Sequence, residues 1–169
     1  MYIQRDGGEP LTQGDLIDDC PLVGLSLAGG FVDLNEPPVQ RWRSQVIVLT
    51  QACDLAQAKV DSVLVAPVYT AERLVSAGLL KGTVIRDQMR RHLVYGWYFL
   101  SFSDVPVSLP ESLIELRAVH SVPRVVLEQL IASGKRRASL PSPYREHLAQ
   151  HFAVTYMRVA LPEPYATQS

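Results

Sequence analysis

The stretch Val-Ile-Val-Leu-Thr-Gln-Ala-Cys-Asp-Leu at residues 46–55 decides the fold of this chain. Its first half is β-branched and has no polar alternation, which predicts a strand over residues 45–50 that is buried on both faces. A second run of the same kind follows at residues 62–68. Two buried neighbouring strands predict a small closed or covered sheet, with Cys53 and Asp54 displayed where the first strand ends.

The rest of the N-terminal half supplies turns and further strands. Residues 14–20 predict a turn and a first strand that Pro21 ends. Residues 21–44 are rich in glycine and proline and predict a long hairpin or a loop, with a strand at residues 30–34. Later, Thr70 is an expected N-cap of a short helix, because its hydroxyl can accept from a first-turn amide.

The C-terminal half predicts strands and then helices. Residues 83–91 favour a second helical piece, and residues 92–102 and 112–119 favour strands. Pro123 and Gly134 mark the two ends of a helix. Pro143 opens a last helix that runs to about residue 158, with Tyr144, Leu148, Phe152 and Tyr156 along one face.

We therefore expect a single α+β domain over residues 1–169. Its core is a strongly bent β-barrel of five or six strands over about residues 11–119. A helical part over about residues 122–160 packs on one side of the barrel.

Composition is that of a globular domain. The chain has 169 residues, of which 47% are hydrophobic and 20% charged. No apolar run approaches the roughly 20 residues of a membrane span, and residues 1–6 lack the apolar core of a signal peptide. These features predict a cytoplasmic protein with no membrane association, in which Cys20 and Cys53 are thiols.

Charge is unevenly distributed along the chain. Residues 1–40 hold seven acidic side chains against Arg5 alone, although the whole chain has a net charge of only −1. The rest of the chain is therefore net basic. Its cationic residues cluster as Arg41/Arg43, Arg86/Arg90/Arg91 and Lys135/Arg136/Arg137. Such a pattern indicates either a nucleic-acid surface or ordinary solvated faces.

Three motifs in order resemble the MazF/PemK-like family. They are Gly14-Asp15, the run Arg-Ser-Gln-Val-Ile-Val-Leu-Thr at residues 43–50, and the run Val-Leu-Val-Ala-Pro-Val-Tyr-Thr at residues 63–70. The resemblance covers about residues 14–70, and Ser44 stands where the family has proline. It implies an SH3-like β-barrel, a toxin-type endoribonuclease that needs no metal, single-stranded RNA as substrate, an antitoxin partner and a homodimer.

The resemblance also implies the catalytic residues Arg43 and Thr70. An arginine fork matches phosphate geometry and can stabilise the charge of the transition state. The alternative is structural: Arg43 pairs with an acidic residue of the N-terminal segment and Thr70 only caps a helix. Trp42 lies in a predicted loop and could stack on a base. With Arg41, Arg86, Arg90, Arg91, Arg136 and Arg137 it completes the expected nucleic-acid-binding set.

Cys53 and Asp54 form a second catalytic candidate, a nucleophilic thiol with an orienting acid. A reactive thiol needs a lowered pKa, usually from a histidine or a helix N-terminus. A neighbouring carboxylate raises the thiol pKa instead. The alternative is therefore a small buried cysteine followed by a turn-forming aspartate.

His147 and His151 are four residues apart and share a helix face. They could ligate zinc, but Leu148 follows the first histidine where a catalytic motif has glutamate. The sequence offers no obvious third ligand, so we expect a solvated helix face, no metal and no cofactor. The rival to a ribonuclease is a non-enzymatic module of a bacterial or phage-related system that binds protein or nucleic acid.

Overall fold

The computed structural model describes residues 1–26 and 35–157. The predicted strand at residues 30–34 and the predicted helix end near residue 158 lie outside these ranges. The strands are β1 Asp15–Leu25, β2 Val39–Val48, β3 Ser62–Thr70, β4 Trp97–Leu100, β5 Ser112–Glu115, β6 His120–Pro123 and β7 Arg136–Ser139. The helices are α1 Ala52–Ala56, α2 Ala71–Ser76, α3 Gly82–Asp87, α4 Arg124–Ala132 and α5 Tyr144–Tyr156, with a 3-10 turn at Met89–Arg91.

All seven strands form one antiparallel sheet. Its order is β4-β5-β3-β2-β1-β7, and β6 also pairs with β3. Strand β3 is the centre: it pairs with β2 on one edge, and its other edge is shared between β6 and β5. The expected α+β class is confirmed. Within the described residues the end strands β4 and β7 are not paired, so the sheet is not closed into a barrel.

The central strands are buried on both faces, as their sequences predict. Ile47 of β2 and Leu49, the residue after this strand, belong to one hydrophobic cluster, whereas Val46 and Val48 of β2 belong to another. This is the period-2 alternation of a strand. The first cluster also receives side chains from β1, β3, β4, β5 and β7. Six strands therefore contribute side chains to one core.

The two C-terminal helices lie on opposite faces of this sheet. Leu148 of α5 belongs to the cluster around Ile47. Leu127 and Ile131 of α4 belong to the cluster around Val46. The expectation that both helices pack on one side is wrong, because both faces of the central strands are apolar and each needs a cover.

Strand β1 does not end at Pro21. It continues to Leu25 in register with β2, with Pro21 opposite Arg43. The register shifts between Ile17 and Cys20, where Asp19 has a φ of 57°. Strand β7 pairs only with the first part of β1, so beyond the bulge β1 has a free edge where proline's missing N–H costs little.

Other predicted elements have mixed outcomes. The Thr70 hydroxyl accepts from the amide of Arg73 at 3.2 Å, so the predicted N-cap of α2 is confirmed. Helix α4 follows Pro123 and is succeeded by Gly134, which has a φ of 77°. The barrel part is expected to end at about residue 119 and the rest of the chain to be helical. Strands β6 and β7 both lie beyond it and belong to the sheet.

No helix within residues 1–26 and 35–157 has the length and apolar character needed to cross a membrane.

Candidate functional site

A seam of ion pairs joins the N-terminal segment to β7. Asp15 is fully buried and lies 3.2 Å from Arg136 Nη2, and it also accepts from the Ser139 hydroxyl. The flanking pairs are Arg137 with Asp18 and Lys135 with Asp19. We call these three pairs the charged seam. Its acidic members come from the acidic head of the sequence and its basic members from one of the basic clusters.

Arg136 is a structural residue of this seam. Its side chain is only 2% exposed. It also donates to the backbone carbonyls of Asp6, Glu9 and Pro10, which fastens the N-terminal segment to β7. Burial raises the pKa of Asp15, and the Ser139 hydrogen bond and the Arg136 charge oppose that rise. The guanidinium of Arg136 is therefore not available to a nucleic acid, and that of Arg137 already has a carboxylate partner.

The second basic cluster, Arg86, Arg90 and Arg91, differs from the seam because its residues are not all held in ion pairs. Arg90 pairs with Glu111 and lies over the Phe99 ring at 5.5 Å. Arg86 pairs with its neighbour Asp87 at 3.1 Å on an exposed surface. Arg91 is exposed and has no ion pair in the described part of the chain. Only Arg91 of this cluster keeps an uncompensated charge.

The two family-motif residues both hold backbone groups. Arg43 Nη1 donates to the carbonyl oxygen of Asp19 at 2.8 Å, and Thr70 caps α2. Their strands are adjacent, but the pairing of β2 with β3 ends at Gln45 and Val68. The Lys135 hydrogen bond and charge, with a smaller contribution from the Arg43 charge, lower the pKa of the Asp19 carboxylate, which already pairs with Lys135. Among the described residues, no histidine ring is in contact with Arg43 or Thr70.

Trp42 packs against the protein. Its ring meets the His120 ring edge-on with centroids 5.4 Å apart. A Cβ added at Gly24 would lie 3.1 Å from the Trp42 ring, so glycine makes this close approach possible. Arg41 and Arg43 are exposed and project from the opposite face of β2, because neighbouring residues of a strand alternate. The arginines and the tryptophan therefore do not form one stacking surface.

The structure places Cys53 and Asp54 in the short helix α1. The Cys53 thiol is exposed, not buried, and lies 3.6 Å from Gln51 Oε1 and 3.8 Å from Asp54 Oδ1. No histidine ring is recorded in contact with it. Cys53 does lie in the first turn of α1, but this helix has only five residues and the Asp54 carboxylate lies beside the thiol, which disfavours the thiolate. Cys20 is buried, and burial raises its pKa to about 11.

Three of the four histidines meet on the other side of the molecule. His92 follows the 3-10 turn, and His147 and His151 project from α5. The ring centroids of His92 and His147 are 4.8 Å apart, and those of His92 and His151 are 5.8 Å apart. They border an open cleft of about 290 Å³, which we call the histidine cleft, lined also by Arg91, Tyr95 and Gln150.

Hydrogen bonds join α5 to residues 96–98 at the base of the cleft. His151 is buried, and its Nε2 donates to the carbonyl oxygen of Trp97 at 3.1 Å. The hydroxyl of Tyr98, a fully buried residue, lies 3.0 Å from His147 Nδ1. Thr155 accepts from the amide of Gly96 at 3.3 Å. Helix α5 is thereby fixed against the loop that carries His92.

His92 is the unusual member of the group. Its φ is 54°, in the left-handed region that residues other than glycine adopt uncommonly, although histidine, asparagine and aspartate occur there more often than the rest. Its Nδ1 is buried and has no hydrogen-bond partner in the described residues. Unsatisfied buried polar atoms and unusual backbone conformations are both concentrated at functional sites.

Burial and the neighbouring histidines favour the neutral forms of His92 and His151. Burial lowers the pKa of His92 to about 4, and His147 and His151 add to the effect. Burial also lowers the pKa of His151, against the opposing hydrogen bonds to Trp97 and Val94. Burial raises the pKa of Tyr98 to about 12, so its hydroxyl stays protonated.

Sequence reasoning paired His147 with His151 but missed His92 and Tyr98. No local sequence pattern predicts contact between His92, which lies in a predicted strand, and His147, about 55 residues later in α5. The tertiary fold brings these residues together. The three histidines do not make a metal centre: across residues 1–26 and 35–157, no group of three or more potential ligands is arranged to hold an ion.

Comparison of the chain with protein-family models and with curated proteins gives no match.

Proposed function

We propose that this protein is a metal-free endoribonuclease and that the histidine cleft is its reacting centre. One observation carries the proposal. Three histidines converge beside Arg91, whose charge is uncompensated in the described chain, and one of their buried nitrogens lacks a partner. Perturbed titratable groups that line one cleft are the usual mark of an active site.

The cleavage needs a base, an acid and a cation. In the proposed reaction His147 takes the proton of the ribose 2′-hydroxyl. The 2′-oxygen then bonds to phosphorus as the bond from phosphorus to the 5′-oxygen breaks, and protonated His92 gives its proton to that oxygen. Arg91 stabilises the charge on the phosphoryl oxygens. The products are a 2′,3′-cyclic phosphate and a 5′-hydroxyl end.

Tyr98 is proposed as a positioning residue for His147. A hydroxyl both donates and accepts. The 3.0 Å contact with His147 Nδ1 can therefore persist whether His147 is neutral or protonated. A group that must accept and later release a proton benefits from a partner of this kind.

The electrostatics of the empty cleft favour an anionic substrate. Burial, with a smaller contribution from the neighbouring histidines, lowers the pKa of His92. A bound phosphodiester brings an opposite charge, which raises histidine pKa values. Substrate binding would thus favour the uptake from solvent of the proton that His92 transfers.

The MazF/PemK-like relationship and its SH3-like barrel remain part of the proposal. Their support is that six strands of one antiparallel sheet contribute side chains to a single hydrophobic cluster. The proposal moves the chemistry away from Arg43 and Thr70, because both side chains already serve the backbone.

The test is incubation of purified protein with mixed single-stranded RNA in excess chelator, followed by analysis of the product ends. We expect cleavage that leaves cyclic phosphate ends and that stops when the 2′-hydroxyl is replaced by hydrogen. Products with 3′-hydroxyl ends, or cleavage of the 2′-deoxy substrate, would contradict the proposed reaction.

A second candidate function, a non-enzymatic binding module, is favoured by the distal hairpin of β1 and β2. Val23, Leu25 and Val39 are large, apolar and more than half exposed there, close to Arg41 and Arg43. Exposed apolar residues of this kind mark contact surfaces. An antitoxin-like protein or a second copy of the chain would suit such a surface. Intact RNA together with a stable complex in size-exclusion chromatography would favour this function.

A further inference from the structure

A second cavity lies across helix α5 from the histidine cleft. Its volume is about 520 Å³. His147 and His151 project from one side of α5, whereas Ala149 and Phe152 border the cavity on the other. The residues that matter for its chemistry are Gln13, Leu49, Gln51, Asp54, Leu64 and Phe152.

The walls of the cavity are apolar and include one aromatic ring. Leu49 is buried, and Leu64 remains 41% exposed. Phe152 is half-buried and meets Tyr156 edge-on, with centroids 5.3 Å apart. A flat ring of moderate size would bury apolar surface against these side chains and stack on the phenylalanine.

Two of the polar side chains that line the cavity, Gln13 and Asp54, present acceptors. Gln13 is 7% exposed, and its Nε2 donates to the Leu49 carbonyl at 2.9 Å, which leaves its Oε1 as an acceptor. The Asp54 carboxylate has no cationic partner among the described residues. Its one side-chain contact is the Cys53 thiol at 3.8 Å. An unpaired carboxylate repels a phosphate and favours a neutral ligand that presents N–H groups.

We propose that this cavity binds a nucleobase with adjacent N–H donors, which among the common bases is guanine. The Asp54 carboxylate would accept from the ring N–H and the exocyclic amino group of guanine. The Gln51 side-chain amide would donate to the carbonyl oxygen of the base. Adenine presents a ring acceptor at the matching position and would face the carboxylate lone pairs instead.

The two sites then form one surface for a single strand, a step that rests on the proposed ribonuclease function. An α-helix with its side chains is about 10 Å across. A strand that crosses α5 would place a guanine in the cavity while a neighbouring phosphate enters the histidine cleft. Recognition of splayed bases by stacking and by their Watson–Crick edges is how single-stranded RNA is usually read.

The experiment measures binding of guanosine and adenosine 5′-monophosphates to the full chain by calorimetry and NMR titration, with wild type and Asp54→Asn. We expect the guanine nucleotide to bind about 10- to 100-fold more tightly than the adenine nucleotide. Asp54→Asn keeps the shape of the side chain, and we expect it to abolish that preference without weakening adenine binding. The matched control is Glu146→Gln, which changes a nearby carboxylate already paired with Arg145.

Equal affinity for the two nucleotides, or a guanine preference that survives in Asp54→Asn, would overturn the proposal. Gln51→Ala provides a second variant at an exposed position, where we expect a severalfold loss of guanine affinity. Binding does not require cleavage, so the two proposals can fail separately. A guanine preference with intact RNA would support the base site and contradict the ribonuclease proposal. Cleavage of RNA without a base preference would support the ribonuclease proposal and contradict the base site.

Discussion

The charged seam and the histidine cleft are both clusters of titratable side chains, but the fold treats them in opposite ways. In the seam, each basic residue meets a carboxylate, and buried Asp15 collects a guanidinium, a hydroxyl and a backbone amide. In the cleft, a buried nitrogen of His92 has no partner and Arg91 has no counter-charge in the described chain.

The difference is the reason for assigning a structural role to the seam and for proposing a functional role for the cleft. The seam stabilises the closure of the N-terminal segment over β7. It also holds a buried nitrogen without a partner in the described residues, Arg136 Nε, but the two terminal nitrogens of that guanidinium are engaged by Asp15 and by backbone carbonyls. The cleft carries unsatisfied groups at some cost in stability, which a bound phosphate would offset. The sequence predicted a nucleic-acid surface that includes the basic residues of the seam, whereas the structure brings three histidines together in the cleft.

The largest effect is expected in the seam. Arg136→Ala leaves the buried Asp15 carboxylate without its guanidinium, so we expect a loss of about 3–5 kcal/mol in the free energy of unfolding. Urea denaturation followed by circular dichroism measures it. The matched control is the next residue: Arg137→Ala removes an exposed pair and should cost about 1 kcal/mol or less. Equal losses in the two variants would contradict the assignment of Arg136 as the buried anchor.

The cleft should make stability depend on pH in a defined direction. The pKa of His92 is about 4 in the folded protein against 6.5 when unperturbed. Between these values the unfolded state binds more protons, so stability falls as the pH drops from about 6.5 towards 4. We expect His92→Asn to flatten this part of the curve of melting temperature against pH, since asparagine tolerates the left-handed backbone. An unchanged slope in the variant would show that His92 does not cause this pH dependence of stability.

Tyr98→Phe tests positioning within the cleft. Loss of one hydrogen bond to His147 should lower kcat for RNA cleavage about 3- to 10-fold, with KM unchanged. Tyr156→Phe is the control, because that hydroxyl donates to the Leu116 carbonyl away from the histidines. Similar kcat losses in the two variants would indicate a general structural effect instead of positioning.

The smallest effect is expected at Thr70. Thr70→Ala removes the N-cap of α2 and should cost about 1 kcal/mol of stability, whereas Thr70→Ser should retain it. Neither change should alter RNA cleavage. A large loss of cleavage in Thr70→Ala, with folding intact, would return the chemistry to the family-motif residues.

The sequence predicted the elements whose signals are local. The buried strands around Ile47 and Val65, the cap at Thr70 and the helix between Pro123 and Gly134 all follow from neighbouring residues. Strands β6 and β7 were missed because each has only four residues, and pairing with distant partners stabilises them.

The candidate site was predictable only in part. His147 and His151 lie one helical turn apart, so their shared face could be read from spacing. The position of His92 in the histidine cleft depends on the packing of α5 beside the loop before β4. No local sequence pattern specifies this packing. The expected surface role of Arg136 failed for a similar reason, since its partner Asp15 is 121 positions earlier in the chain.

The central claim is tested most directly by one side-by-side assay of RNA cleavage in chelator. It compares wild type, His147→Gln and Arg43→Ala, all checked for folding by thermal melting. We expect His147→Gln to lose about 10²- to 10⁴-fold in rate, the usual contribution of a general acid or base, while Arg43→Ala stays near wild type. Full activity in His147→Gln, or loss confined to Arg43→Ala, would contradict the assignment of the histidine cleft as the reacting centre.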